Sequence, residues 1–318
     1  MNSHDGGVRN QLMKSVKETH MNDTIVIGGG PAGLQAALTL GRMHRNVLLL
    51  DSGTYRNSTV EHMQNFITHD GRDPAEMRAL ARKDIAAYAT VEIREGTADA
   101  VRRAGDGFEV VIGDEVFATR TVILATGVRD TLPGVPGIAE AWGREIAHCP
   151  FRHGHEFAGR RVAILGSGPK GAHLSSLLTG IAGELVVLAD GGEVDPDSAE
   201  ALKRLDVPIR SERVLGVERV PSGLLVSLAG GGSVEVGGMF VATQMTQSAP
   251  FAEQLDLDLM PSGCVEVDAV GHTSLAGVFA AGDMAHTAAF PMPMASVMNA
   301  AAAGLVAGSV CHMELAQH

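Results

Sequence analysis

Cysteine is scarce in this chain: Cys149, Cys264 and Cys311 are the only three in 318 residues. None belongs to a Cys-x-x-Cys pair, and three scattered thiols build neither a disulfide scaffold nor a cysteine-based zinc site. Aromatics make up only 4%, with the single tryptophan at Trp142. A basic excess is also missing. Lys+Arg number 25 against 37 Asp+Glu, a formal net charge of −12, which argues against a general binder of nucleic acid or of anionic membranes. Residues 1–20 are polar and of mixed charge, and read as a flexible tail with no apolar stretch of signal-peptide length. The longest apolar-looking run, Met294 to Cys311, is mostly Ala, Gly and Val, interrupted by Ser296 and Asn299. A membrane span would be richer in Leu, Ile and Phe, so a buried helix in a cytoplasmic protein is the expectation.

What is present is glycine, 39 residues, within a chain that is 45% hydrophobic. The length exceeds one ordinary core and suggests two domains. From residue 24, short apolar runs alternate with helical stretches. Thr24–Ile27 reads as a strand, Gly33–Met43 as a helix and Val47–Leu50 as a second strand. Pro74–Tyr88 reads as a helix capped by Asp73. Short strands are expected at Val91–Ile93, Phe108–Ile112 and Thr121–Leu124. The pattern then restarts with strand Arg161–Leu165, helix Gly171–Thr179 and strand Leu185–Leu188. A last strand near Val278–Ala280 precedes the Ala-rich C-terminal helix. Two strand–turn–helix–strand units predict an α/β protein with two Rossmann-like domains.

The first glycine turn, Gly28, Gly30, Pro31, Ala32 and Gly33, follows the strand TIVI, and Asp51 closes the next strand. The glycines permit a tight turn and close backbone approach to a pyrophosphate. The helix N-terminus attracts the phosphates, and the acidic residue accepts from a ribose hydroxyl. The second turn, Gly166, Gly168 and Gly171, follows RVAIL, and its acidic residue is Asp190. A 2′-phosphate would call for Arg or Lys, and none occurs there before Lys203. This counts against NADPH. Two readings stay open, NADH held through Asp190 or a turn kept only because the fold needs it.

Two further strings are Ala125-Thr126-Gly127, closing one strand, and Phe279-Ala280-Ala281-Gly282-Asp283, closing another. With them the chain resembles the low-molecular-weight thioredoxin reductases. That resemblance implies FAD as cofactor and an FAD-binding domain split into 21–127 and 246–318. It also implies an NAD(P)-binding-like domain, 128–245, inserted between the halves. Asp283 would supply a carboxylate to the ribityl chain of FAD, and Arg56-Asn57 matches the family's Arg-Asn after the second strand. Homodimers are usual in the family.

The string before the second glycine turn is His148-Cys149-Pro150-Phe151-Arg152-His153-Gly154-His155-Glu156. Its frame most resembles the dithiol oxidases of the gliotoxin and holomycin type, which use FAD and oxygen to close disulfides in small natural products. By that resemblance Cys149 is the cysteine that exchanges with substrate. Arg152 occupies the place of the second, flavin-facing cysteine, and His153 matches the histidine that follows it. A permanent cation there would stabilise a reduced flavin, an anionic substrate or a thiolate. The plainer alternative is a salt bridge to Glu156. Cys149 is open to two readings, an activated thiolate or a small buried side chain. His148, His153 and His155 lack the spacing of a metal set, so no metal is expected. His153, with His155 beside it, is the first choice for accepting substrate protons.

The sequence therefore points to an FAD-dependent oxidase of a small thiol-bearing substrate, with oxygen as electron acceptor and no two-cysteine relay. An NAD(P)H-dependent reductase of the ferredoxin–NADP reductase type is the alternative, and a non-catalytic FAD-binding partner protein is a third.

Overall fold

The computed structural model describes residues 21–317, so the tail expected over 1–20 lies outside the described residues. The chain runs β1 (Asn22–Ile27), α1 (Pro31–Arg42), β2 (Val47–Asp51), α2 (Pro74–Ile85), β3 (Val91–Glu95), β4 (Ala100–Ala104), β5 (Gly107–Ile112) and β6 (Glu115–Leu124). Next come β7 (Val128–Thr131), the short helix α3 (Ile138–Ala141), β8 (Ile146–Ala147) and the single-turn helix α4 (Pro150–His153). The second unit continues with β9 (Arg161–Leu165), α5 (Pro169–Leu178), β10 (Glu184–Leu188), α6 (Pro196–Arg204) and β11 (Ile209–Arg210). It ends with β12 (Val214–Val220), β13 (Gly223–Leu228), β14 (Ser233–Val236) and β15 (Gly238–Val241). The return comprises β16 (Gln244–Gln247), α7 (Phe251–Gln254), β17 (Val265–Glu266), β18 (Val278–Ala280), β19 (Ala285–His286) and α8 (Val297–Leu315).

Both glycine-turn helices start two residues earlier than their sequence signals, because each has proline at its first position. Proline is favoured there, its φ being preset and its missing N–H not needed. α2 starts at Pro74 with the Asp73 carboxylate accepting from Ala75 N at 2.7 Å. It stops at Ile85, short of Tyr88.

The first sheet has the order β3-β2-β1-β6-β5-β4. Strand β6 serves two neighbours on one edge, β5 antiparallel against its N-terminal half and β18 parallel against its C-terminal half. Alternate residues sort to opposite faces, as a pleated strand requires. Val26, Leu49 and Ile123 meet α1 and α8, whereas Ile25, Leu48, Leu50 and Val122 pack towards the β4–β5 meander and Phe251. α8 buries a stripe of Ala300, Gly304, Ala307, Gly308, Cys311 and Leu315. A Cβ on Gly304 would stand 2.0 Å from the Ala32 carbonyl oxygen, so α8 lies backbone to backbone on the first turn of α1. The buried helix expected here is buried along this stripe only. Met298 and Leu305 on its other side are exposed. No described helix is long and apolar enough to cross a membrane.

The second sheet, β11-β10-β9-β15-β8, is parallel throughout. α5 and α6 cover one face through Leu178 and Leu202, and the β12–β14 sheet covers the other through Leu224, Val226 and Val236. A two-stranded antiparallel ribbon, β7 with β16, connects the two sheets, and Asp130 lies opposite Met245 in it. The fold is thus α/β with two dinucleotide-type units. The glycine turn, Asp51, Ala125–Gly127 and Gly282–Asp283 all sit at the carboxyl ends of β1, β2, β6 and β18, where open α/β sheets bind ligands.

Candidate functional site

The cradle between β1 and α1 is shaped by backbone contacts. Gly28 has φ +120°, and a Cβ there would lie 2.2 Å from the Ala125 carbonyl oxygen. A Cβ on Gly33 would lie 1.8 Å from the Gly28 carbonyl oxygen. Gly30 differs, since a Cβ on it would meet nothing within 4 Å. The turn is therefore closed on its protein side and open at Gly30. No side chain caps the twelve-residue α1. Its free N–H groups face the open side, and they suit a pyrophosphate.

Asp51 is almost fully buried beneath this turn. Its oxygens accept from Gly53 N at 2.9 Å, from the Tyr55 hydroxyl at 2.7 Å and from Arg82. The sequence assigned this carboxylate to a ribose hydroxyl, and in the structure it already holds three donors. Burial, then the hydrogen bond to Asp51, pushes the Tyr55 hydroxyl above its ordinary pKa. Arg78 lies 3.8 Å over the Tyr55 ring and donates to Asn57 Oδ1 at 3.2 Å.

Arg56 reaches further. Its Nε and Nη2 grip Asp130 at 2.6 and 2.7 Å, and its Nη1 donates to Asp283 Oδ2 at 2.8 Å. Asp130 Oδ1 also accepts from Thr243 Oγ1 at 2.8 Å. Burial works to raise the Asp130 pKa, but the hydrogen bond and charge of Arg56 outweigh it and hold the carboxyl below its usual range. Thr126 Oγ1 lies 3.3 Å from the sulfur of Met284, which is buried, whereas Phe290, Met292 and Met294 are exposed. The methionines grouped after Asp283 in sequence therefore do not form one pocket.

Cys149 precedes α4 and is half-buried, and its carbonyl accepts from the N–H groups of Arg152 and His153 at 3.2 and 3.1 Å. Arg152 makes no ion pair with Glu156 among the described residues. Its Nη2 lies 3.0 Å from His148 Nε2 and 3.4 Å from the Ala295 carbonyl oxygen, just before α8. A guanidinium only donates, so Nε2 of His148 accepts and its proton sits on Nδ1. Burial, with the charge of Arg152, brings the His148 pKa down to about 3. Trp142 stacks on this ring, with centroids 5.5 Å apart.

His153 Nδ1 is buried with no hydrogen-bond partner among the described residues, and burial depresses its pKa. Its ring lines a cavity of about 350 Å³ with Glu61, Arg144, Glu145, Glu156 and Arg219. His155 turns outward and is exposed. The structure thus brings Cys149, Arg152 and His153 onto one turn and leaves His155 at the surface. The other two cysteines are buried, and Cys311 Sγ lies 3.4 and 3.2 Å from the hydroxyls of Thr24 and Thr121. Asp130 and Thr243 were absent from the residues chosen by sequence, and His148 was weighed there only as a metal ligand. Asp130 had a signal, because a buried Arg56 requires carboxylate partners and the string ATGVRD offers one.

The second turn also places Gly168 against open space at the uncapped start of α5. Asp190 Oδ1 is used by Val214 N at 2.7 Å. Pairing of β11 with β10 carries Arg210 to the same strand end, and Arg213 packs beside Gly191 there, although both follow Lys203 in sequence. Arg210 is bound to Glu212.

Two glycine cradles, each between parallel strands of its own sheet, with the sheets joined by one ribbon, define an FAD oxidoreductase with a second, pyridine-nucleotide-type fold. The model of the pyridine nucleotide-disulphide oxidoreductase family matches residues 22–304, and the chain belongs to that family. It is 31% identical over 309 residues to thioredoxin reductase tcpT of Claviceps purpurea, covering 92% of this chain and 94% of that one. It is 34% identical over 309 residues to thioredoxin reductase sirT of Leptosphaeria maculans, covering 90% and 92%. Among solved structures, an oxidoreductase from Agrobacterium tumefaciens superposes with a TM-score of 0.85 at 31% identity, covering 93% and 99%.

The residues present fit FAD. The open face at Gly30 and the uncapped α1 suit its pyrophosphate, and Asp283, with one oxygen on Arg56, retains a second oxygen for a hydroxyl.

Proposed function

We infer that this flavoenzyme oxidises a small thiol-bearing substrate, of the natural-product dithiol kind, beside the flavin, with oxygen as final acceptor. The observation that carries this reading is Arg152. It stands three residues after Cys149, where a second thiol would complete a relay, and it is anchored to His148 and to the start of α8. FAD, when bound, would accept two electrons and pass them to oxygen, giving hydrogen peroxide. Cys149, the one cysteine not buried, would hold one substrate thiol as a mixed disulfide, a two-electron oxidation for which bound FAD would be the acceptor and in which both thiols give up their protons. The second substrate thiol then displaces Cys149, and the product leaves as a disulfide.

Arg152 lowers the energy of the substrate thiolate by its fixed charge. His148, neutral and acceptor-only at Nε2, aims that charge. His153, kept neutral by burial, is the ring on this turn that would take a leaving proton.

A second reading is favoured by the open turn at Gly168 and the free start of α5. In it NADH or NADPH reduces the flavin, in keeping with the reductase names of the relatives. An anaerobic spectral titration of the yellow protein separates the two. Bleaching by a small dithiol but not by NADH or NADPH supports the oxidase, and the reverse result overturns it.

A further inference from the structure

The two units of this protein touch one shared cation. Arg56 stands in the loop after β2, Asp130 on the connecting ribbon, and Asp283 at the end of β18, so three separate pieces of chain meet at a single guanidinium. All three side chains are largely buried, 15%, 6% and 19% exposed respectively. The fork is divided unequally, two parallel bonds to Asp130 and one to Asp283. Thr243, one residue before β16, closes the arrangement by donating to Asp130. Both strands that join the two sheets are therefore held at the point where Arg56 grips.

One positive charge serving two buried carboxylates is a competitive arrangement. Whatever strengthens or weakens the hold of Arg56 on Asp283 must change its hold on Asp130, because both draw on the same fork and the same charge. A hydroxyl donated to Asp283 by a bound cofactor lowers that carboxylate's demand on Arg56 and tightens the grip on the ribbon. By linkage, a change at the ribbon must alter cofactor affinity by the same factor. We propose that Arg56 is a positioning residue that couples FAD occupancy to the geometry of the interdomain ribbon through Asp130. The proposal rests on the reading that Asp283 faces FAD. The side chain of Asp130 hydrogen-bonds Arg56 and Thr243, so its hydrogen-bonded link to Asp283 runs through Arg56.

The test compares FAD release from diluted holoenzyme for wild type, Asp130→Asn, Arg56→Met and the double variant. Asp130→Asn keeps the shape and the Thr243 contact, and we expect it to weaken FAD about fivefold. Arg56→Met removes the rival for Asp283, so FAD is not weakened, and adding Asp130→Asn to it changes nothing further. Hydrogen exchange at saturating FAD supplies a second readout: FAD slows the amides of 128–131 and 244–247 in wild type but not in Arg56→Met. Should Arg56→Met fail to fold, Arg56→Lys replaces it, retaining the charge without the two-pronged grip. It should bind FAD like Asp130→Asn and lose the ribbon protection. Unchanged affinity in Asp130→Asn, factors that multiply in the double variant, or ribbon protection independent of Arg56 each overturn the coupling. A wild-type chain that binds no FAD overturns the flavin reading itself, a result readily told apart from these.

Discussion

The guanidinium of Arg152 donates to Nε2 of His148 across 3.0 Å, so the cation three residues after Cys149 is aimed by a ring that stays neutral. Replacing Arg152 by Met removes the charge and keeps much of the bulk. Flavin reduction by a dithiol should slow by about 10²-fold, the typical cost of losing one electrostatic stabiliser, and the flavin potential should fall. Stopped-flow and potentiometric measurements check both. Equal rates and potentials in the two proteins would remove Arg152 from the chemistry.

His148 also sets an acid limit. Its pKa is about 3 in the folded protein and about 6.5 in an unfolded chain. Between those values the unfolded state binds the extra proton, so this residue's contribution to stability is complete above pH 6.5 and drains away as pH falls towards 3. His148→Gln should flatten that slope in denaturant titrations between pH 4 and 7. A slope unchanged by the substitution would assign the acid loss to other groups.

His272 carries the opposite sign. Its Nδ1 and Nε2 lie 2.7 Å from Asp268 and Glu314, and these hydrogen bonds, that of Asp268 first, raise its pKa above the ordinary value. The clasp it makes near the end of α8 is at full strength below pH 6.5 and is lost as pH rises through the raised value. His272→Ala should therefore destabilise the protein more at pH 6 than at pH 9, and added salt should shrink the difference. Thermal melts at the two pH values decide it.

Two glycines of the first turn should respond differently to alanine. Gly30→Ala projects into open space, so the apoprotein keeps its melting temperature while FAD affinity drops at least tenfold. Gly33→Ala drives a methyl group into the Gly28 carbonyl and should destabilise the fold by about 1–3 kcal/mol or more. Flavin fluorescence and calorimetry together distinguish the two losses. A Gly30→Ala protein that stays fully yellow would place the pyrophosphate elsewhere.

Thiol labelling gives a simpler check. Iodoacetamide should alkylate Cys149 in the native protein, while Cys264 and Cys311, buried and with thiol pKa values pushed up by that burial, should react only after unfolding. Peptide mass spectrometry reads the sites. Native labelling of Cys311 would contradict the packing of α8.

Both dinucleotide-type units were legible because their signals are local. A strand, three glycines, a helix and an acid within a short span identify β1–α1–β2 and β9–α5–β10. Strands such as β4, AVRRA, and the β12–β14 sheet were not read, being short and half polar, with their identity set by neighbours across the sheet. The site divided in the same way. Cys149, Arg152 and His153 share one turn and could be read together. The partners of Arg56 lie 74 and 227 positions away, and His155, close in sequence, was carried to the surface by the next turn.

The first sheet draws strands from both ends of the chain, with β18 closing on β6 and α8 lying over α1. Synthesis therefore makes the glycine turn well before β18 and α8 and leaves it incomplete until residues 278–315 have left the ribosome. Flavin capture has to wait for them, and a nascent chain halted before Val278 should hold a folded middle domain and bind no FAD.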